Sequence, residues 1–240
     1  MRHPLVQRLL ATEQPTIVGL QEAYADQSEP VRARLGPRYR VVGTGRDADG
    51  GGEGCPIAFD ADRLMLTAWR QLALSTTPDV RGSRSWGARV PRAVVVAELV
   101  DAATGRGIVA LNTHLDHLSP YSRWRSARLV ASLARAHQAA DPSALVVVTG
   151  DVNAGERSRV HRTLAADGVL RDAWHDAPAR VTPSWGTFSN YREPRVGGRR
   201  IDLVLVGPTV EVRAVGINAA RFGGAAPSDH EPVQALIRAL

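Results

Sequence analysis

Polar side chains that could bind a cation or move a proton follow several apolar runs of this 240-residue sequence. They are Glu22 after IVGLQ, His114 and Asp116 in LNTHLDH, Asp151 and Asn153 in VVVTGDVNA, Asp202 in RRIDLVLV, and Asp229 and His230 in PSDHEPV. We expect each group at the carboxyl end of a β-strand. A carboxylate at the mouth of an apolar core costs free energy unless a cation or hydrogen bonds compensate it. One shared site is therefore predicted.

The residue types favour a hard divalent cation and phosphoester chemistry. Carboxylate and amide oxygens dominate the set, and the single Cys55 supplies no zinc-type cysteine cluster. Oxygen donors select Mg²⁺ or Mn²⁺, and these ions favour phosphate oxygens. A histidine beside a carboxylate keeps a raised pKa and can hydrogen-bond a phosphoryl oxygen. The pattern predicts metal-assisted attack of water on a phosphoester.

Short β-rich runs must position these residues, and they dominate the chain. Strands are expected from near Thr16 and over 39–43, 55–59, 64–74, 92–100, 107–115, 144–151, 200–207, 210–217 and 231–240. Apolar periodicity predicts the longest helix from Ser119 or Pro120 to about Ala140. Shorter helices are expected before Pro15 and over 28–36 and 156–167. Without repeats or a long linker, the chain is expected to form one α/β domain over 1–240 with antiparallel sheet content.

The order of the motifs resembles that of the endonuclease/exonuclease/phosphatase superfamily. GLQEA, LNTHLDH followed by an Arg-rich helix, VVTGDVNA, RIDLVLV and SDHEPV occur in that order between residues 16 and 233. One such motif would be a weak signal, whereas the ordered set is specific. The resemblance implies an α/β (α+β) fold, a four-layer αββα sandwich of two mixed sheets flanked by helices. It also implies an active site at one end of the sheets.

The resemblance further implies which residues hold the metal and the water. Glu22 would be the principal Mg²⁺ ligand, and Asp229 would lie beside the metal, as a ligand or through water. Asp151 would orient and deprotonate the attacking water. Asn153 would hold the nucleophile and a phosphate oxygen.

Other residues would contact the phosphoryl group by the same resemblance. His230 would stabilise its negative charge, with Asp202 paired to it to fix its tautomer. His114 would bind a phosphate oxygen from the other side, supported by Asp116. Arg92, in the family's Trp- and Arg-containing segment, would touch the substrate.

The sequence thus predicts a Mg²⁺-dependent phosphoester hydrolase, with a phosphodiesterase or nuclease-like enzyme preferred. Three alternatives stay open: a phosphomonoesterase of the same fold, a catalytically impaired relative that binds a phosphorylated ligand, and a non-enzymatic nucleic-acid binder. The absence of Lys clusters and of aromatic residues placed for stacking speaks against the last. The substrate could be a nucleic acid, a phospholipid or a small phosphorylated molecule, because the same scaffold serves all three.

Composition and charge narrow the class of protein. The chain is 44% hydrophobic and 22% charged, which is typical of a folded domain and excludes wholesale disorder. Its net charge of +6 comes from 30 basic residues that are all arginine, which favours codon bias over a dedicated polyanion surface. No apolar run reaches the roughly 18 residues of a membrane span, and the N-terminus has no signal-peptide pattern. A cytoplasmic protein without an integral membrane segment is expected.

The N-terminus departs from the family pattern. Family members usually begin with a strand whose Asn sits beside the metal-binding Glu, whereas Met1 opens what reads as the following helix. Either the start codon is assigned too far downstream, which we favour, or the domain is truncated and binds metal poorly. An upstream export signal would make the protein secreted. The oligomeric state cannot be inferred from the sequence.

Several polar residues lie outside the motifs. His161 and His175 are read as surface or structurally satisfied residues, and Asp172 as a cap or turn residue. GTFSN at 186–190 resembles the family's Thr-Phe loop on the substrate side, although a plain turn would have the same composition.

Overall fold

A six-stranded sheet forms the centre of the fold. The computed structural model of the chain describes residues 3–24 and 36–240. The strands of this sheet are β6 (Leu64–Ala73), β7 (Ala93–Asp101), β8 (Gly107–His114), β9 (Leu145–Asp151), β10 (Arg171–Asp172) and β11 (Asp202–Val206). Their spatial order is β10-β11-β9-β8-β7-β6. β8 and β9 run parallel, and the other neighbouring pairs run antiparallel.

Further strands form a second layer and a small outer pair. They are β1 (Ile17–Gly19), β2 (Ala23–Tyr24), β3 (Tyr39–Val42), β4 (Glu53–Gly54), β5 (Ile57–Asp60), β12 (Val210–Ile217) and β13 (Val233–Ala239). β1, β5 and β3 make a three-stranded antiparallel sheet, while β12 pairs with β13 and β2 with β4. Most of this layer packs against one face of the six-stranded sheet.

Alternating side chains of the central strands feed two separate cores. In β7, Val94 and Val96 join the core that contains Val130 of the long helix. Val95 and Ala97 point the other way and pack with the second strand layer. Because successive side chains of a strand point to opposite faces, the nearly continuous Val and Ala run serves a sheet that is covered on both sides.

Helices cover the outer faces. They are α1 (His3–Glu13), α2 (Pro120–Ala140) and α3 (Arg159–Leu164), whereas the short α4 (Ala173–Asp176) packs Ala173 and Trp174 into the core between the strand layers. Ser119 caps α2 by accepting a hydrogen bond from the Ser122 amide at 3.1 Å, and Pro120 suits the first turn, where no backbone donor is needed. The helix–sheet–sheet–helix order is the expected four-layer αββα arrangement.

α1 lies on the side of the second strand layer. Its Glu13 accepts a hydrogen bond from the Asn218 side chain, and Arg8 stacks on Phe222 with 4.7 Å between guanidinium and ring centroid. No helix among residues 3–24 and 36–240 combines the length and apolarity needed to cross a membrane.

The elements differ from the sequence-based expectations at a few places. The helix expected over 156–167 is shorter, α3, and a 3-10 turn over Ala166–Gly168 follows it. The helix expected over 28–36 falls, apart from Gly36, outside the described residues. β2, β4, β10 and α4 were not expected, because elements of two to four residues carry too little periodicity to be recognised.

Burial of a single leucine in the helix-side core sets a stability prediction. Leu111 of β8 is fully buried, so Leu111→Ala leaves a cavity and should lower the free energy of unfolding by about 2–5 kcal/mol. Urea denaturation measures this change. Leu236→Ala is the matched control, since Leu236 is 65% exposed and its truncation should change the value by no more than about 0.5 kcal/mol. Equal losses in both variants would contradict the core assignment.

Candidate active site

Strand register brings three of the expected site residues into one row at the edge of the central sheet. Asp151, the last residue of β9, pairs with Asp202, the first residue of antiparallel β11. On its other side Asp151 pairs with His114, the last residue of parallel β8. Direct pairing places neighbouring side chains on the same face, about 5 Å apart at Cβ.

Two of the five groups of polar residues were expected at the carboxyl end of a strand but lie at the amino end. Asp202 begins β11, and Asp229 and His230 precede β13, so these residues lie at amino ends of strands. The reason is topological: an antiparallel strand presents its amino end at the edge where its neighbour presents its carboxyl end. Asp202 therefore still meets Asp151, although it sits at the opposite end of its own strand.

Asp151 is a buried carboxylate surrounded by polar groups. Its Oδ1 accepts a hydrogen bond from the Asn153 amide at 2.7 Å. Its Oδ2 lies 3.5 Å from His114 Nε2 and 3.9 Å from His230 Nε2. Burial, followed by the negative charge of Asp202, raises the pKa of the Asp151 carboxyl to about 7. Near neutral pH this carboxyl can therefore both accept and release a proton.

Asp202 and His230 form an ion pair beside it. His230 Nδ1 donates to Asp202 Oδ2 at 2.9 Å. Burial lowers the pKa of His230, but the hydrogen bond to Asp202 and the charge of that carboxylate outweigh burial and raise the pKa to about 9. At pH 7 the imidazole is therefore positively charged, and its Nε2 faces the same space as Asp151.

His114 is held neutral. Burial and the positive charges of Arg92 and His230 lower the pKa of His114 to about 2. The Asn153 side-chain amide reaches His114 Nε2 at 3.0 Å and Leu115 O at 3.1 Å. Because an amide nitrogen only donates, His114 Nε2 must accept, and the proton resides on Nδ1. That Nδ1 lies 4.0 Å from Glu22 Oε1.

Glu22 and Asp229 stand at the more open side of the row. The Glu22 side chain is 60% exposed, and its backbone has a φ of +56°, a conformation that costs energy for a non-glycine residue. Burial and the charges of Glu53 and Asp229 raise the pKa of Glu22, while His230 lowers it. Asp229 accepts backbone hydrogen bonds from the amides of Ser189 and Asn190, which fix the turn before His230.

Arg92 is buried and carries a free donor. Its Nη2 lies 2.8 Å from His117 Nδ1, and its Nε has no hydrogen-bond partner among the residues the structure describes. Its charge lowers the pKa values of Glu22 and His114, which places it in the electrostatic field of the site. Arg92 thus adds positive charge to the site, while its Nε is shielded from solvent.

The Asp116 carboxylate, which was expected to support His114, makes its hydrogen bonds to backbone amides. Its Oδ1 accepts hydrogen bonds from the amides of Leu118 at 2.7 Å and Ser119 at 2.9 Å. An Asp two or three residues before such amides satisfies donors that the chain leaves free ahead of a helix. Asp116 therefore shapes the turn into α2.

The donor set fits a divalent cation. Carboxylate oxygens of Asp151 and Asp202 lie within 4.8 Å of each other, while His230, being protonated, is not available as a ligand. Burial, followed by the charges of neighbouring carboxylates, raises the pKa values of Asp151 and Glu22, and a bound cation would offset both effects. The oxygen-rich set, with little nitrogen and no thiolate, suits Mg²⁺ or Mn²⁺.

Sequence reasoning missed residues that support this site. Glu53 was not singled out from the sequence, yet it lies in β4, pairs with Tyr24 of β2 and forms an ion pair with Arg46. Thr187 is fully buried, and its Oγ1 accepts hydrogen bonds from the amides of Ile201 and Asp202. The Thr-Phe resemblance at 186–190 was the one available signal, and the Phe188 ring packs 4.9 Å from His230.

Comparison with known proteins places the fold and site in one family. A sequence profile described as Endonuclease/Exonuclease/phosphatase family matches residues 4–230. No curated protein matches the sequence significantly. This chain therefore belongs to the endonuclease/exonuclease/phosphatase family, whose known structures share its αββα architecture.

Solved structures agree with that assignment. The mannosyl-6-phosphatase Bt3783 of Bacteroides thetaiotaomicron is 27% identical, with a TM-score of 0.91 over 99% of this chain and 90% of that chain. An endonuclease/exonuclease/phosphatase from Bacteroides vulgatus is 30% identical, with a TM-score of 0.90 over 100% of this chain and 90% of that chain. TDP2 of D. rerio, solved with a single-strand DNA product, is 18% identical, with a TM-score of 0.71 over 99% and 91% of the two chains, and shares the fold.

The Asp202–His230 pair gives a direct prediction. Asp202→Asn removes the charge that stabilises the imidazolium, so the pKa of His230 should fall from about 9 toward or below the ordinary value of about 6.5. An NMR titration of the His230 imidazole measures this change. Asp79→Asn, at an exposed position, is the control and should leave the titration unaltered. A His230 pKa that stays near 9 in Asp202→Asn would show that the pairing does not set its charge.

Proposed function

We propose that this protein is a divalent-metal-dependent phosphoester hydrolase that uses Asp151 as general base. The carrying observation is the buried Asp151 carboxyl, whose Oδ2 lies 3.5 Å from neutral His114 and 3.9 Å from charged His230. A base, a neutral imidazole and a cationic imidazole then face one space. Hydrolysis of a phosphoester needs a positioned water and stabilisation of the developing negative charge. The base would position the water, and the imidazoles would stabilise the charge.

Asp151 would take a proton from the attacking water. As the water oxygen bonds to phosphorus, the bond from phosphorus to the leaving oxygen breaks, and the proton passes to Asp151 Oδ2. A base works best when its pKa lies near the working pH, and the raised pKa of Asp151, about 7, meets that condition. The Asn153 amide, which donates to Oδ1 at 2.7 Å, holds the carboxylate in place.

Cationic and neutral donors would stabilise the phosphoryl oxygens. His230, charged through its ion pair with Asp202, would donate from Nε2 to an oxygen on which negative charge develops. Arg92 would contribute the positive charge of a buried guanidinium. Neutral His114 would contact a phosphate oxygen without adding charge, and Asn153 fixes its tautomer.

A divalent cation, Mg²⁺ or Mn²⁺, would be held by Glu22 and Asp229 at the open side, near Asp151. When bound, it would neutralise charge on the phosphoryl group. Glu22 is suited to this role because its carboxylate is exposed and lies in the field of Asp229, whose negative charge raises its pKa. The two residues are the principal candidates for the metal site.

The charge of the site supports phosphodiesters as the first substrate class. Before a metal binds, the site holds more carboxylates than cationic side chains, and their charges add to burial in raising the pKa values of Asp151 and Glu22. A phosphodiester, with one negative charge, is repelled less than a doubly charged monoester. A phosphomonoesterase is the second candidate, favoured by the likeness to a mannosyl-6-phosphatase at 27% identity.

Loss of the general base tests the proposal. The purified chain should hydrolyse bis(p-nitrophenyl) phosphate with Mg²⁺ or Mn²⁺ and lose this activity in EDTA. Asp151→Asn should lower kcat/KM by about 10²-fold or more, which is about 3 kcal/mol of transition-state stabilisation. Asp79→Asn is the matched control.

Parallel assays with p-nitrophenyl phosphate separate the two candidate classes by the ratio of kcat/KM values. A folded wild-type chain without metal-dependent turnover on either ester would contradict the proposal and favour a catalytically impaired relative. Full activity in Asp151→Asn would contradict the assignment of the base.

The raised pKa values of Asp151 and His230 predict a bell-shaped pH dependence. Asp151 must be ionised to accept a proton, so the rate should rise as pH passes through its pKa, which a bound cation places below the metal-free value of about 7. His230 must be protonated to donate, so the rate should fall as pH passes through about 9. A pH–rate profile at saturating Mg²⁺ checks both limbs, and a rate that keeps rising through pH 10 would exclude the cationic role of His230.

A further inference from the structure

A second charged cluster lies beside the row of catalytic residues, and the proposed reaction does not use it. Arg200 is 2% exposed, and its guanidinium binds two carboxylates. Nη1 and Nη2 donate to the two oxygens of Asp172 at 3.2 and 2.6 Å. Nε donates to Glu156 Oε1 at 2.9 Å. The cluster thus holds a buried arginine with all three nitrogens engaged.

The cluster is satisfied by its own members. Asp172 Oδ2 also lies 2.7 Å from His161 Nε2, and its Oδ1 accepts the Trp174 amide at 3.0 Å as the cap of α4. His175 Nε2 lies 3.3 Å from the second oxygen of Glu156. His161 and Asp172 are thereby structural, as the sequence analysis expected. A buried ion pair of this kind is costly to break on one side only.

Its position along the chain connects it to the site. Glu156 follows Asn153 by three residues, and Arg200 precedes Asp202 by two. We call residues 152–156 the catalytic turn, because this segment directly follows Asp151 and carries Asn153. The ion pair between Glu156 and Arg200 therefore joins the end of this turn to the start of β11.

The backbone conformation of the catalytic turn has to be held by contacts with the rest of the protein. Asn153 has a φ of +50°, and a non-glycine residue keeps this conformation only when its surroundings impose it. At the front of the turn, the backbone amide of Asn153 donates to Asp151 Oδ1. The backbone amide of Val152 donates to Ile201 O at 2.9 Å. At the rear, the Glu156–Arg200 pair fixes the turn to the segment that leads into Asp202.

We propose that Glu156 and Arg200 are positioning residues for the hydrolysis described above, an inference that rests on the proposed function. They hold the catalytic turn so that the side-chain amide of Asn153 stays directed at His114 Nε2 and Leu115 O. They also keep Asp202 opposite Asp151. Neither residue touches the substrate.

Two substitutions of Glu156 separate this role from general stabilisation. Glu156→Ala removes the acceptor for Arg200 Nε but leaves the Arg200–Asp172 pair, so the fold is retained. It should lower kcat on bis(p-nitrophenyl) phosphate about tenfold or more with little change in KM, since small displacements of catalytic groups are costly. Glu156→Gln keeps an oxygen acceptor at the same place and should restore kcat to within about threefold of wild type.

Asp176→Ala is the matched control. It breaks a surface ion pair with Arg171, at 3.1 Å, in the same part of the fold but away from the catalytic turn. Its kcat should equal that of wild type.

Hydrogen exchange provides a readout that needs no activity. In Glu156→Ala the amides of residues 152–158 should exchange faster, whereas Glu156→Gln and Asp176→Ala should match wild type. Unchanged exchange, unchanged kcat in Glu156→Ala, or equal losses in Glu156→Ala and Glu156→Gln would each overturn the positioning role while leaving the proposed hydrolase intact. An inactive wild type would instead remove both proposals.

Discussion

The site depends on two carboxylates placed directly opposite each other across a β-ladder. The pairing of β9 with β11 puts Asp151 against Asp202 at a largely buried sheet edge. Two negative charges so close, and removed from water, cannot both be ionised without compensation. His230 supplies a compensating positive charge next to Asp202. Asp151 can instead hold a proton near neutral pH.

The surrounding architecture follows from this repulsion. Asp202 is stabilised by the His230 imidazolium, which the segment before β13 brings from the second strand layer. Burial and the charge of Asp202 raise the pKa of Asp151 to about 7, which lets it accept a proton at neutral pH. The remaining negative charge, shared with Glu22 and Asp229, is what a divalent cation would neutralise. The face-to-face packing of strand layers therefore assembles the site as well as the core.

Much of the fold could be predicted from local patterns. The Val-rich runs of β7, β8 and β9 and the apolar stripe of α2 are long enough for periodicity to identify them, and Ser119 and Pro120 mark the start of that helix. The site residues could be proposed because carboxylates and histidines after apolar runs are costly unless they cooperate. The strand-end argument nevertheless placed Asp202 at the wrong end of its strand.

What could not be predicted depends on contacts between distant segments. Strand direction decides that Asp202 meets Asp151, and no local pattern encodes direction. The Glu156–Arg200 pair joins residues 44 positions apart. Both segments have the polar, glycine-containing composition of exposed loops, so nothing in the sequence indicated that Arg200 is buried. The family resemblance assigned Asp116 to the support of His114, whereas its carboxylate accepts hydrogen bonds from backbone amides in the turn into α2.

The most direct test of this account is the titration of the Asp151 carboxyl by carbon-13 NMR, without and with Mg²⁺. The account predicts a pKa near 7 in the metal-free protein and a marked fall when Mg²⁺ binds, because the cation replaces the proton that relieves the repulsion from Asp202. An ordinary aspartate pKa of about 3.9 without metal, or a raised value that Mg²⁺ leaves unchanged, would contradict it.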